Sequence, residues 1–218
     1  LNITNLLYLP INQNLSDSFK AIVSDNCLSA LAANYIVLFT FAPNLMYMSF
    51  INIEIKARCE NTEAVEKVLL QMQAKFIGED RQLDTYFSVE EGRLKLREGN
   101  IENSLIFYHR PDTAGPKKSD ISMYRADDLT ALKAVLLDAL PVKVMVDKRR
   151  RIYFIENVKF HLDEVKGLGK FVEIEAIDYE GEIGESHLRE QVDFYMDLFN
   201  IRQEDLLERS YSDMLQRH

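Results

Sequence analysis

The sequence predicts an α+β fold, mainly β, in which antiparallel strands curl into a barrel flanked by helices. Two observations carry this expectation. Short segments of alternating polarity come in two runs, each with a helix-patterned stretch beside it, instead of the strict strand–helix alternation of a parallel sheet. The strands starting at Asn52, Arg93, Lys159 and Glu173 also set an apolar face against one whose charges are sorted by sign. A face turned to bulk water usually mixes Thr, Ser, Lys and Glu, whereas sorted basic rows and an acidic pair suit a polar barrel interior.

The first strand is expected at 50–58, where Ile51, Ile53, Ile55 and Ala57 alternate with Asn52, Glu54, Lys56 and Arg58. A helix is predicted over 61–76, capped by Asn61 or Thr62 and carrying Val65, Val68, Leu69 and Met72 at helical spacing. Strands follow at 84–88, 93–97, 104–110 and 121–125, separated by Glu91-Gly92, Gly99-Asn100 and the stretch from Pro111 to Pro116. A helix over 127–140 ends before Pro141. Strands resume at 142–147, 150–155, 158–163 and 170–177, with Glu156-Asn157 and Gly167-Leu168-Gly169 as turns. The tail over 186–215 is helical in pattern.

A chain of 218 residues with a formal net charge of −9 has room for one main domain and is not a general nucleic-acid binder, which would carry a basic stripe. Any basic site must therefore be local. Cys27 and Cys59 are the two cysteines, far apart and without zinc-ligand spacing, so a reducing, cytoplasmic setting is expected. Residues 1–47 read apart from 48–218. No charge occurs between Asp25 and Glu54, yet polar residues interrupt the apolar run and no Lys/Arg cluster flanks it. This leader is expected to be a dispensable or non-native extension, with a short packed helix and a membrane anchor as the alternatives.

Glu173 and Glu175 stand two apart and project from one strand face, and Glu54 lies on a strand of the same alternation. Convergent carboxylates make a hard oxygen site suited to Mg²⁺ or Mn²⁺. An isolated E-x-E reads as a solvated surface pair, so the motif alone proves nothing. Arg93, Lys95 and Arg97 form a basic row that is either a salt-screened surface or, inside a barrel, a grip for an anion such as a triphosphate. Lys56 and Arg58 extend the first strand's row, and Arg110, Lys148 and Arg150 are candidates for further walls, although the run 148–151 leaves its inward parity open. Lys159, His161 and Asp163 make a polar row in which Asp163 is placed to orient a cation or a metal-bound water. His161 alone reads as an ordinary strand histidine, and Tyr86 and Tyr108 either line the cavity or pack.

In combination these segments resemble the CYTH family, named for class IV adenylate cyclase and thiamine triphosphatase and also called the triphosphate tunnel metalloenzymes. N-I-E-I-K-A-R at 52–58 is similar to the E-x-E-x-K signature. Q-L-D-T-Y-F at 82–87, G-R-L-K-L-R-E at 92–98, Y-H-R-P-D at 108–112, Lys148 with Arg150, and G-L-G running into F-V-E-I-E at 171–175 continue it in order, and S-Y-S-D-M-L at 210–215 resembles the terminal helix. The resemblance implies a closed tunnel of eight antiparallel strands. In it Glu54, Glu173 and Glu175 hold metal, and Lys56, Arg93, Arg97, Arg110, Lys148 and Arg150 grip phosphates; the basic rows add Arg58 and Lys95 to that grip, and Lys56, Lys148, Arg150 and Asp163 are expected to serve catalysis. Asn52 replaces the first glutamate of the signature, offering a neutral carbonyl where the family has a carboxylate.

The implied partner is a triphosphate-bearing small molecule (ATP, tripolyphosphate or thiamine triphosphate), with no nucleic acid and no membrane; a homodimer is implied by the resemblance alone. Attack by the ribose 3′-hydroxyl of ATP on the α-phosphorus would make the protein a cyclase, and attack by water a triphosphatase. Asn52 keeps a third reading open, a binding protein without turnover.

Overall fold

The computed structural model describes residues 46–216, so the expected leader lies almost wholly outside the described residues. Eight strands close into an antiparallel barrel: β1 (Met46–Arg58), β2 (Lys75–Phe87), β3 (Arg93–Glu98), β4 (Ser104–His109), β5 (Lys117–Arg125), β6 (Val142–Ile155), β7 (Val158–Val165) and β8 (Gly169–Asp178), in the order β1-β5-β4-β3-β2-β6-β7-β8. Helix α1 (Thr62–Gln71) follows β1, α2 (Thr130–Ala139) follows β5, and α3 (Glu185–Leu198) and the short α4 (Tyr211–Leu215) follow β8. Among the described residues no helix is long and apolar enough to cross a membrane.

The barrel is polar inside and apolar outside, so its main cores lie between wall and helices. Ile53, Ile55 and Ala57 of β1, Val158, Phe160 and Leu162 of β7 and Val172, Ile174 and Ala176 of β8 face outward onto Val65 and Leu69 of α1 and Leu188, Val192, Tyr195 and Met196 of α3. A second core sets Phe87 and Leu96 beneath α2, with Leu132 and Leu136 packed on it. Each Val, Leu, Ile, Phe or Met among these fully removed from water contributes about 1.5–3 kcal/mol, and this outer burial holds a wall whose inner charges oppose folding.

Four segments differ most from what the sequence predicts. Helix α1 has its expected cap, Asn61 Oδ1 accepting from the Ala64 N–H at 3.1 Å, but it stops at Gln71 because Gln73 takes φ 60°, and the chain enters β2 at Lys75 instead of continuing as helix to residue 76. β2 is thus far longer than 84–88. Its early half is polar because Asp80 and Gln82 are buried while Glu79 and Arg81 lie outside. The segments 142–147 and 150–155 are one strand: Lys148 and Arg150 are buried, whereas Arg149 pairs with Glu164 at 2.5 Å and Arg151 with Glu66 on the outer face. The tail is α3, a 3-10 turn at Gln203–Asp205 and α4, not one helical stretch.

The tunnel is stopped at one end. Tyr211, Met214 and Leu215 of α4 pack against Tyr86, Val146, Val165 and Phe171. The segment before α4 is tied to the barrel by the Leu207 N–H donating to Lys56 O at 2.8 Å and by Lys117 Nζ donating to the carbonyls of Leu207 and Glu208 at 2.9 and 3.0 Å.

Candidate functional site

Inward residues of all eight strands line one cavity, to which the loop after β3 adds Glu102 and the C-terminal segment adds Ser210 and Tyr211. Eight basic side chains face five acidic ones across it. That excess of positive charge, in a chain of net −9, marks the interior as a seat for an anion.

The pairs form three groups. Asp84, 1% exposed, accepts from Arg97 Nε and Nη2 at 2.8 and 3.0 Å, Lys148 Nζ at 2.6 Å and Lys95 Nζ at 3.3 Å. Burial pushes its carboxyl up, but the charges of Arg97, Lys148 and Lys95 outweigh this and hold it well below the usual carboxylate range. Arg150 lays its guanidinium fork on Asp163 at 2.7 and 2.6 Å and reaches Glu173 Oε2 at 2.7 Å, while the Tyr211 hydroxyl donates to Asp163 Oδ2 at 2.9 Å. Lys56 pairs with Glu173 Oε1 and stands 3.8 Å from the centre of the Tyr211 ring, and Arg110 pairs with Glu54. Toward the other end, Glu102 accepts from Lys159 Nζ at 2.5 Å and Arg97 Nη1 at 2.9 Å.

Most of the residues singled out in the sequence meet here: Asn52, Glu54, Lys56, Lys95, Arg97, Arg110, Lys148, Arg150, Glu173 and Glu175 all line the cavity, as do Tyr86, Tyr108, Lys159 and His161. Three lie elsewhere. Arg58 has the inward parity but ends its strand, exposed and 5.5 Å from the Phe171 ring. Arg93, at the start of β3, is held by Asp112 at 2.7 and 2.8 Å and Asp213 at 3.1 Å, and so anchors α4. Asp163 sits behind Arg150 and fixes its fork. Asp84 and Glu102 were missed. Asp84 alternates with Gln82 and Tyr86 and was legible in that pattern; Glu102 is placed by a loop without periodicity.

That loop depends on Asp80, whose carboxylate accepts from the N–H groups of Ile101 and Glu102 at 2.9 and 3.0 Å and from Gln82 Nε2 at 2.8 Å. A Cβ on Gly99 would lie 2.6 and 2.7 Å from the two Asp80 oxygens and 2.8 Å from Glu102 O. Gly99→Ala is therefore expected to cost roughly 1–3 kcal/mol and to displace Glu102. Denaturant melts check the first effect; an unchanged midpoint would show that the loop adapts freely.

Several buried polar atoms on the cavity wall lack a protein partner: Asn52 Oδ1, Ser119 Oγ, Arg110 Nε and Nη2, and His161 Nε2. Buried groups are rarely left unsatisfied, and these mark positions for a ligand. Glu54 stands opposite Glu175, and Lys56 opposite Glu173, across the β1–β8 pair. Burial raises Glu175, whereas Glu54, also desolvated, is brought below its ordinary value by Arg110 and Lys56. Glu173 and Glu175 bring carboxylate oxygens within 4.8 Å of each other, an acidic pair able to hold a metal ion, with Glu54 and the orphaned Asn52 carbonyl on the neighbouring strand. Desolvation holds His161 well below its ordinary value, helped by Arg150 and Lys159, so the ring is neutral.

Burial lowers Lys148 to about 7 and Lys95 to about 8, against the attraction of Asp84. An anion arriving beside them raises both, so ligand binding near pH 8 is expected to take up on the order of one proton. Calorimetry of tripolyphosphate binding in two buffers of different ionisation enthalpy reads this directly; identical heats would contradict it.

A sequence match to the CYTH domain family runs over residues 51–211, from β1 to the first residue of α4. A Methanocaldococcus jannaschii protein named as a putative adenylate cyclase is 25% identical over 177 residues, covering 75% of this chain and 98% of that protein. Two solved structures show the same fold: the PH1012 protein of Pyrococcus horikoshii, with TM-score 0.61, 24% identity and coverage of 74% of this chain and 98% of that one, and a Vibrio parahaemolyticus protein described as a putative adenylate cyclase, with TM-score 0.63, 21% identity and coverage of 76% and 98%. A Hippeastrum protein described as having a dominant triphosphatase activity shares the fold at TM-score 0.53 and 15% identity, over 77% of this chain and 95% of its own. With the match running through all eight strands, the chain belongs to the CYTH domain family.

Proposed function

We propose that the protein is a metal-dependent enzyme acting on an organic triphosphate, with cyclisation of ATP to cyclic AMP and pyrophosphate as its reaction. The observation that carries this reading is the basic tunnel interior set against Glu54, Glu173 and Glu175. Family members act on triphosphate-bearing substrates such as ATP, as adenylate cyclase-like enzymes or as triphosphatases, and are in general metal-dependent.

An apolar wall argues for an organic substrate. At the end away from Tyr211, Phe50, Ile106, Ile121, Met123, Ile177 and Tyr179 line the cavity, and the Phe50 and Tyr179 rings lie 5.1 Å apart. Inorganic tripolyphosphate has no use for such a surface, whereas a nucleobase buries apolar area on it. With the base there, the chain of phosphates runs inward toward Lys56 and Arg150.

A divalent cation bound at the carboxylates would neutralise charge on the phosphate oxygens. The side chains supply the rest. Lys56 and Lys148 exchange their carboxylate partners for phosphate oxygens, and Arg150 gives up Glu173 for them while Asp163, itself held by Tyr211, keeps its guanidinium in place. In cyclisation the ribose 3′-oxygen bonds to the α-phosphorus and loses its proton, the bond from that phosphorus to the oxygen bridging it to the β-phosphorus breaks, the pyrophosphate leaves carrying the proton, and the same cations stabilise its charge. Hydrolysis is the second reading. It is favoured by the position of Lys56 and Arg150 next to the Tyr211-stopped end, where a terminal phosphate would be held.

The test incubates the full chain with ATP and Mn²⁺ or Mg²⁺ and assays cyclic AMP, pyrophosphate and phosphate. Cyclic AMP with equimolar pyrophosphate supports cyclisation, phosphate release alone supports hydrolysis, and binding without product leaves a triphosphate-binding protein. Phe50→Ala is expected to raise KM for ATP roughly ten-fold while leaving tripolyphosphate affinity unchanged. An equal loss for both ligands would remove the apolar wall from substrate recognition.

A further inference from the structure

We propose that His161 supplies a nitrogen ligand to the divalent cation held by Glu173 and Glu175, and that this nitrogen gives the tunnel a preference for Mn²⁺ over Mg²⁺. The inference rests on the reading of the tunnel as a metal and triphosphate site, and it adds a ligand that the carboxylate pattern of the sequence does not contain.

His161 stands directly opposite Glu173 across the β7–β8 pair, so both side chains enter the cavity at the same level. Its Nδ1 lies 3.0 Å from Glu173 Oε2 and 3.4 Å from Glu175 Oε1, and one donor atom from each of the three residues falls within a span of 4.8 Å. Two donors bound at about 2.1 Å to one ion are separated by about 3.0 Å at a right angle and about 3.4 Å at the tetrahedral angle. The spacing is therefore that of two ligands on a shared cation.

The competing explanation is a structural histidine that hydrogen-bonds Glu173 and does nothing more. That reading accounts for Glu173 alone, whereas Nδ1 of this ring, 1% exposed, also lies 3.4 Å from Glu175 Oε1, and two carboxylates converging on one ring nitrogen is the arrangement a shared cation requires. Glu173 is meanwhile shared with Lys56 and Arg150. An incoming triphosphate draws those two cations onto its oxygens and frees the carboxylate, so cation and triphosphate enter together. Coordination through Nδ1 places the ring proton on Nε2. Imidazole is a good ligand for transition metals and a poor one for Mg²⁺, which keeps oxygen ligands and water.

The test loads the full chain with Mn²⁺ and inorganic tripolyphosphate, which carries no nitrogen, freezes the complex and examines it by pulsed electron paramagnetic resonance. The expected result is the coupling of a directly bound ¹⁴N nucleus, changed to the ¹⁵N pattern when histidine is isotopically labelled and absent in His161→Gln. The same variant is expected to lose about ten-fold of the Mn²⁺ over Mg²⁺ binding preference. Should the variant fail to fold, the labelled wild-type spectrum decides alone. One equivalent of Mn²⁺ bound without nitrogen coupling overturns the role of His161 and leaves the carboxylate site standing. No retained Mn²⁺ overturns both.

Discussion

Glu173→Gln is expected to lower turnover by two to three orders of magnitude while the barrel remains folded. The substitution keeps the volume of the side chain and one carbonyl oxygen, so the outer cores that hold β8 to α1 and α3 are untouched. What disappears is the charge that pairs Lys56 and Arg150 in the free protein and that, on the proposed function, would hold the cation. Two losses follow. The metal binds more weakly, and Lys56 and Arg150 lose the partner that keeps them oriented toward the phosphates. Measuring kcat and KM at saturating Mn²⁺, beside the thermal midpoint, separates this from general damage. Near wild-type turnover in Glu173→Gln would remove Glu173 from the chemistry.

The second large effect is on stability. Asp84→Asn leaves Arg97, Lys95 and Lys148 without their shared counter-charge in a site where Asp84 and Lys148 are each about 1% exposed on their side chains. Breaking a buried charge cluster by removing one partner costs about 3–5 kcal/mol, or a drop on the order of 10 °C in a domain of this size. The loss depends on the ligand state. Tripolyphosphate supplies the missing negative charge, so it should raise the midpoint of Asp84→Asn by more than it raises that of the wild type. The sign with pH is also fixed: a carboxyl held well below its usual value contributes stability above the unfolded pKa of about 3.9 and loses it as the pH falls through the folded value. Wild type and Asp84→Asn should therefore converge in acid. A variant with the wild-type midpoint and no enhanced rescue would show that the interior cations are neutralised by water or one another.

The outer half of this protein was easier to read than the inner half. Ile53, Ile55 and Ala57 alternate without a break, and the helices that cover them carry ordinary apolar stripes, so wall and cover follow from period alone. The reading failed where the inside of a barrel is polar. Asp80 and Gln82 look like loop residues because strand logic expects one apolar face, yet here both faces of β2 are polar over that stretch and the inner one bonds a loop. The basic run 148–151 concealed its parity for the same reason, since inward and outward residues carried the same charge and only Asp84, Asp163, Glu164 and Glu66 on the neighbouring elements sort them.

Among the site residues, those two apart on one strand were legible, and those positioned by distant chain were not. Glu173 with Glu175, and Lys95 with Arg97, follow from spacing. Glu102 depends on Asp80, some twenty residues earlier in the chain, and the closure of the tunnel by Tyr211 depends on α4 folding back along β6. The strand-end positions of Arg58 and Arg93 likewise come from the barrel's register, which sets where an inward row leaves the tunnel.

On the proposed function this interior binds a triphosphate and a divalent cation as one unit, exchanging internal ion pairs for ligand contacts. Calorimetric titration of ATP into the full chain, with and without Mn²⁺, measures that coupling most directly. The expected result is one site whose affinity for ATP rises about ten-fold or more when Mn²⁺ is present, the coupling being lost in Glu173→Gln. Binding of ATP that is indifferent to Mn²⁺, or no binding at all, would contradict it.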